Sequence, residues 1–75
     1  MKYEALAKLV GSNIKRCRLA ARLTQEQLAI KAGFDYKYYQ RVESLKANLT
    51  LRTLSRISEA LRVSPAVFFK SPKQR

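Results

Sequence analysis

The stretch Thr24-Gln-Glu-Gln-Leu-Ala-Ile-Lys-Ala-Gly33-Phe-Asp35-Tyr-Lys-Tyr-Tyr-Gln-Arg-Val-Glu43 holds two helix starts and one helix stop. Thr24 opens the first helix. Its hydroxyl can accept from an amide of the first turn while Gln27 reaches back to the Thr24 amide, the reciprocal arrangement of a capping box. Gly33 closes that helix, because glycine takes the left-handed conformation after a helix end at no steric cost, and the chain can restart within two residues. Asp35 caps the second helix and sets its carboxylate at the positive end of the helix dipole. In the first helix Leu28, Ala29 and Ala32 face inward, and Glu26, Ile30 and Lys31 lie nearer the surface. Ala29 is small enough for the second helix to cross closely; a larger side chain there costs about 1 to 3 kcal/mol of overpacking.

Two short helices joined by a tight glycine turn form a helix-turn-helix, a unit that presents its second helix. Lys37, Gln40, Arg41 and Ser44 fall at i, i+3, i+4 and i+7, one polar stripe, and Tyr38, Tyr39, Val42 and Leu45 take the opposite side with Phe34 before them. A polar stripe alone is an ordinary solvated face. The presenting turn and the charge of the chain shift the reading towards a ligand face, since Arg, Lys and Gln can reach base edges in a major groove wide enough for a helix.

Lys and Arg number 16 against five acids, a formal net charge of +11. The bias points to a polyanion, and because it is spread over all the helices it suits a phosphate backbone approached from several directions. A membrane surface is the competing polyanion, but the long apolar face of a lipid-bound helix is missing, with only Phe68 and Phe69 hinting at one. No apolar run approaches the ~20 residues of a membrane span, and Met-Lys-Tyr-Glu lacks the apolar segment of a signal peptide, so a cytoplasmic location is expected. Seventy-five residues with 47% hydrophobic content suffice for one small domain, expected over 1–70, with a basic disordered tail over 71–75. There is no His, one Cys, and the acids are dispersed, which suggests neither a metal site nor an acid/base pair. The expectation is a protein that is no enzyme, takes no cofactor and has no small-molecule pocket.

Around the central stretch, a first helix is predicted from about Glu4 to Ala21 with Leu6, Leu9, Val10, Ile14 and Cys17 inward, Cys17 as a core thiol in register with Ala21. Lys8, Lys15, Arg16 and Arg22 form its basic outer side. In the loop Ser44 to Leu49, Leu49 is expected to pack back onto the core, and Lys46 and the loop amides are placed to meet a phosphate. Thr50 caps a fourth helix with Leu51, Leu54, Ile57, Ser58 and Leu61 inward and Arg52 and Arg56 outward. Ser64 and Pro65 start a fifth. Val67, Phe68 and Phe69 cannot all face the core of so small a domain; Phe68 is assigned to it, and the remaining apolar surface is left for a partner.

Leu23-Thr-Gln-Glu-Gln-Leu-Ala, Gly33 and Val42-Glu43 resemble the phage-repressor and Cro type of helix-turn-helix, often called XRE-like. The resemblance continues through Ile14, Arg18, Leu51, Leu54, Ala60-Leu61, Val63-Ser64 and Phe68. It implies an all-α, compact five-helix repressor-like domain that binds double-stranded DNA as a homodimer. By that resemblance Tyr36, Lys37, Gln40 and Arg41 read bases, and Thr24, Gln25, Ser44, Lys46 and Asn48 hold phosphates. The resemblance also implies that Arg18 and Glu43 form a buried ion pair and that Val67 and Phe69 pair the subunits. Asn48-Leu-Thr and Val67-Phe-Phe are also similar to controller proteins of restriction-modification systems. The chain departs from the family at Arg22 and Leu45, where glycine is usual, and at Leu49, where proline is common. The function expected is a sequence-specific transcriptional regulator acting on a two-fold symmetric operator. The alternatives are an antitoxin-like interaction module with secondary DNA binding, and nonspecific nucleic-acid binding that depends on salt but hardly on sequence.

Overall fold

A long helix α1, Tyr3–Ala20, forms the floor of the molecule, one residue earlier at each end than the sequence predicts. The computed structural model describes residues 1–71. Apart from Ser71, the expected tail therefore lies outside the described residues. Helices α2 (Gln25–Ala32), α3 (Tyr36–Glu43) and α4 (Leu51–Leu61) follow, then a 3-10 helix, Pro65–Phe69. The described residues contain no strand. Among the described residues the architecture is all-helical but has four α-helices and one 3-10 helix in place of five α-helices. Between the Ser64 cap and the extended Lys70 only five residues are available, a length at which the tighter 3-10 helix serves. No described helix is long and apolar enough to cross a membrane.

The core draws on every element: Val10 and Ile14 from α1, Leu28 and Ala29 from α2, Tyr39 and Val42 from α3, Leu54 and Ile57 from α4, then Ala47 and Phe68. Cys17, Leu23 and Leu49 pack against it from half-buried positions. Three leucines expected inward are exposed: Leu6 at 36%, Leu45 at 42% and Leu51 at 83%. Leu6 and Leu51 stand near helix starts, where the apolar stripe runs on past the neighbours that bury its middle. Leu45 lies beyond the end of α3 with φ 69°, so the helical period no longer governs it. Ala21 too is exposed, as the cap residue that follows α1.

Buried polar side chains hold the elements in place. Asn13, only 3% exposed, donates from Nδ2 to the carbonyls of Phe68 and Lys70 at 2.8 Å each, fastening α1 to the end of the 3-10 helix. Thr53 bonds the Tyr38 hydroxyl at 2.9 Å, linking α4 to α3. Gly11 is buried where a Cβ would come within 2.6 Å of Leu45 Cδ2 and 3.4 Å of the Val42 carbonyl, so its lack of a side chain lets the end of α3 settle onto α1.

Candidate nucleic-acid interface

The turn into α3 is built as its residues dictate. Thr24 Oγ1 accepts from the Gln27 amide at 3.0 Å, and the Thr24 amide donates to Gln27 Oε1 at 2.8 Å, closing the capping box. Gly33 takes φ 77°, and the amides of Gly33 and Phe34 bond back to Ile30 and Ala29. Asp35 Oδ2 then accepts from the Lys37 amide at 3.0 Å. A residue read as outward completes the turn. Arg56 of α4 donates from Nε to the Ala32 carbonyl at 3.1 Å and from Nη2 to the Gly33 carbonyl at 2.8 Å, with its guanidinium 4.7 Å from the Phe34 ring centroid. A cation is thus placed at the negative end of α2, where the last carbonyls lack helical partners.

The outer face of α3 carries Tyr36, Lys37, Gln40 and Arg41, all exposed, and Ser44 just past it. Gln40 Nε2 donates to the Tyr36 hydroxyl at 3.1 Å. Arg41 organises the following loop: its carbonyl accepts from the amides of Lys46 and Ala47 at 2.9 and 3.2 Å, and its Nη2 donates to the Lys46 carbonyl at 3.0 Å. Lys46 and Asn48 are exposed beside this clamp, and Asn48 borders an open hollow with Asp35, Lys37, Tyr38 and Arg41. The other three residues expected at phosphates bond within the chain. Thr24 is occupied as a cap, Ser44 Oγ donates to the Arg41 carbonyl at 3.4 Å, and Gln25 Nε2 donates to Glu43 Oε1 at 3.0 Å.

Glu43 is the anchor of α3. Arg18 grips it with Nε to Oε2 at 2.6 Å and Nη2 to Oε1 at 3.2 Å, and Arg18 Nη1 donates to the Leu23 carbonyl at 2.8 Å. The Tyr39 hydroxyl also donates to Oε2. The side chains of Arg18 and Glu43 are 8% and 4% exposed, so this pair is shielded from solvent. Burial alone would push the Glu43 carboxyl up, but hydrogen bonds from Arg18, Tyr39 and Gln25 outweigh it and hold the group below the usual carboxylate range. Burial and the neighbouring carboxylate push the Tyr39 phenol far up. Burial likewise raises the Cys17 thiol, against the pull of Arg16, and leaves it a poor nucleophile. Sequence reasoning missed the parts played by Tyr39, Gln25 and Arg56 here. Tyr39 stands four residues before Glu43 on the same helix, a spacing that could have marked the bond, whereas no local pattern marks Gln25 or Arg56, whose bonds join groups brought together by how the helices cross.

On the 3-10 helix Val67 is half-buried and Phe69 45% exposed, while Phe68 is fully buried. Phe69 borders an apolar groove with Tyr3, Leu6, Leu49, Leu51 and Leu54.

Residues 14–68 match the helix-turn-helix family. The chain is 41% identical over 59 residues, 79% of its own length and 77% of the relative's, to an uncharacterized HTH-type transcriptional regulator, y4dJ, of Sinorhizobium fredii. Among solved structures it is similar to the restriction-modification controller protein C.AhdI from Aeromonas hydrophila, with TM-score 0.83 and 31% identity over 87% of this chain and 98% of that one. It is also similar to the protein C.Esp1396I bound to a 19 base pair DNA duplex, with TM-score 0.79 and 41% identity over 85% of both chains.

Proposed function

Since the chain belongs to the XRE-type helix-turn-helix family of transcriptional regulators, we propose that it is a sequence-specific regulator of the restriction-modification controller kind, binding double-stranded DNA as a homodimer on a two-fold symmetric operator. The observation that carries this reading is the polar outer face of α3, held out from the domain by the shielded Arg18–Glu43 pair on its inner side. The net charge of +11 supports it, as does the likeness to a controller protein bound to a DNA duplex. Residues 1–70 act as one DNA-binding domain. In this reading Tyr36, Lys37, Gln40 and Arg41 face the bases of the major groove. Thr24, Gln25, Ser44, Lys46 and Asn48 line the phosphates, the first three through groups left over from their bonds within the chain. The apolar surface around Phe69 is where two copies meet. The family is not a class of enzymes, and the function needs no cofactor.

Selection of bound duplexes from a random pool by the full chain tests the proposal. A two-fold motif with half-site centres about 10 bp apart, or a multiple of that, is the expected product, because two linked recognition helices must enter the groove on one face of the DNA. Affinity that falls with salt but shows no preferred sequence would overturn it.

A further inference from the structure

Helix α3 is held at its two ends by different neighbours. At the C-terminal end Arg18 of α1 grips Glu43, and the Arg41 carbonyl accepts from the amides of Lys46 and Ala47. At the N-terminal end the ties run to α4, from Thr53 and Arg56, three residues apart on one side of that helix. Thr53, itself buried, bonds the Tyr38 hydroxyl at 2.9 Å. Arg56 reaches the turn, with Nε donating to the Ala32 carbonyl at 3.1 Å and Nη2 to the Gly33 carbonyl at 2.8 Å. A guanidinium only donates and a backbone carbonyl only accepts, so each bond can be made in one sense alone. The guanidinium also stands 4.7 Å from the centroid of the half-buried Phe34 ring, and that ring meets Tyr38 edge to face at 5.3 Å. Arg56 thus fixes the end of α2 and, through Phe34, the first turn of α3.

A helix held at both ends pivots about one when the other is released. Along α3 Lys37 lies about 9 Å from Glu43 and Arg41 about 3 Å, so a tilt about Glu43 displaces Lys37 about three times as far. Hydrogen bonds to base edges tolerate little displacement. We propose that Arg56, which lies outside the face offered to DNA, is a positioning residue for sequence choice: it sets the tilt of α3 and thereby governs the bases read from the helix's N-terminal half. The inference rests on the reading of the protein as a sequence-specific DNA-binding regulator and divides its recognition helix into a half controlled by α4 and a half controlled by α1.

The test uses the full chain, its selected operator and duplexes carrying each single-base replacement, titrated at several salt concentrations and at a temperature where thermal melts show every variant folded. Lys37→Ala and Arg41→Ala first assign the base positions that answer to each end of α3. Arg56→Met, which keeps the apolar stem and removes the guanidinium, is expected to lower discrimination about two- to thirtyfold at the Lys37 positions, the range for residues that act without touching the ligand. Discrimination at the Arg41 positions stays as in wild type. Arg56→Lys, which keeps the charge and one donor group, relaxes the same positions less; should Arg56→Met fail to fold, that smaller relaxation decides the matter by itself. A lower melt with every base preference intact would make Arg56 structural only and overturn the inference. Equal weakening on all duplexes, with the slope of log affinity against log salt reduced by about one, would make it a phosphate contact and do the same. Equal relaxation at both sets of positions would refute the pivot, as would an operator with no position that answers to Lys37. If selection returns no preferred sequence, the underlying reading fails and takes this inference with it.

Discussion

Glu43 receives four hydrogen bonds, two from Arg18 and one each from Gln25 and Tyr39, and so joins α1, α2 and α3 at one carboxylate. A buried charge of this kind is stable only while its partners stay in place; removing one side of a buried pair costs roughly 3 to 5 kcal/mol. Glu43→Gln leaves Arg18 buried without its counter-charge, and for a domain of this size a thermal melt at pH 7 should fall by more than about 10 °C. An unchanged melt would show that the pair contributes nothing to stability. Because the folded state lowers the Glu43 pKa below its ordinary 4.5, the stabilisation is fully present above the unfolded value and is lost as pH falls through the folded one. The gap between wild type and Glu43→Gln should therefore narrow in melts taken progressively below pH 4.5.

Each helix ends or begins on a backbone conformation that one residue must supply. The described residues adopt a left-handed φ at Arg22, Gly33, Leu45 and Arg62, and of these only Gly33 is glycine. A side chain at such a position costs roughly 1 to 2 kcal/mol. At Gly33 a Cβ would also come within 2.5 Å of Arg56 Nη2 and push away the guanidinium that caps α2. Gly33→Ala should lower the urea midpoint, whereas Arg62→Gly, which relieves the same strain at the end of α4, should raise it, the gain in stability being a few tenths to about 1 kcal/mol after the added freedom of the unfolded glycine is offset. A midpoint that moves the same way in both variants would refute the backbone account. The equivalent change at Leu45 mixes two effects, because its side chain also lies over Gly11.

The exposed apolar side chains Tyr3, Leu6, Leu51 and Phe69 converge on one groove between the starts of α1 and α4 and the 3-10 helix. In the proposed function the polar face of α3 reads DNA and this apolar surface pairs the subunits. Phe69→Asp places a charge on the proposed pairing surface without touching the buried Phe68. Sedimentation should then show a folded monomer, and binding to the full operator should weaken about 10²- to 10⁴-fold, since two linked contacts become one. A dimer that survives Phe69→Asp would place the subunit contact on another surface.

The sequence by itself determined what depends on residues within a turn or two of one another. The Thr24–Gln27 capping box, the left-handed Gly33 and the Asp35 cap are local hydrogen-bond and steric matters, and all three stand in the structure as read. The same holds for the inward Tyr39 and Val42 and the outward Lys37, Gln40 and Arg41, which follow from the helical period alone. The Arg18–Glu43 pair was legible only through family resemblance, not through spacing. Tertiary structure decided the rest. Asn13 finds its carbonyls 55 and 57 residues away, Arg56 caps a helix 24 residues upstream, and Gln25 turns to a carboxylate 18 residues on. Leu6 and Leu51 continue apolar stripes whose inner parts are covered while they are not. A periodic pattern specifies which side of a helix is apolar, but which stretch of that side gains a neighbour, and which distant carbonyl a polar group meets, is set by where the helices cross.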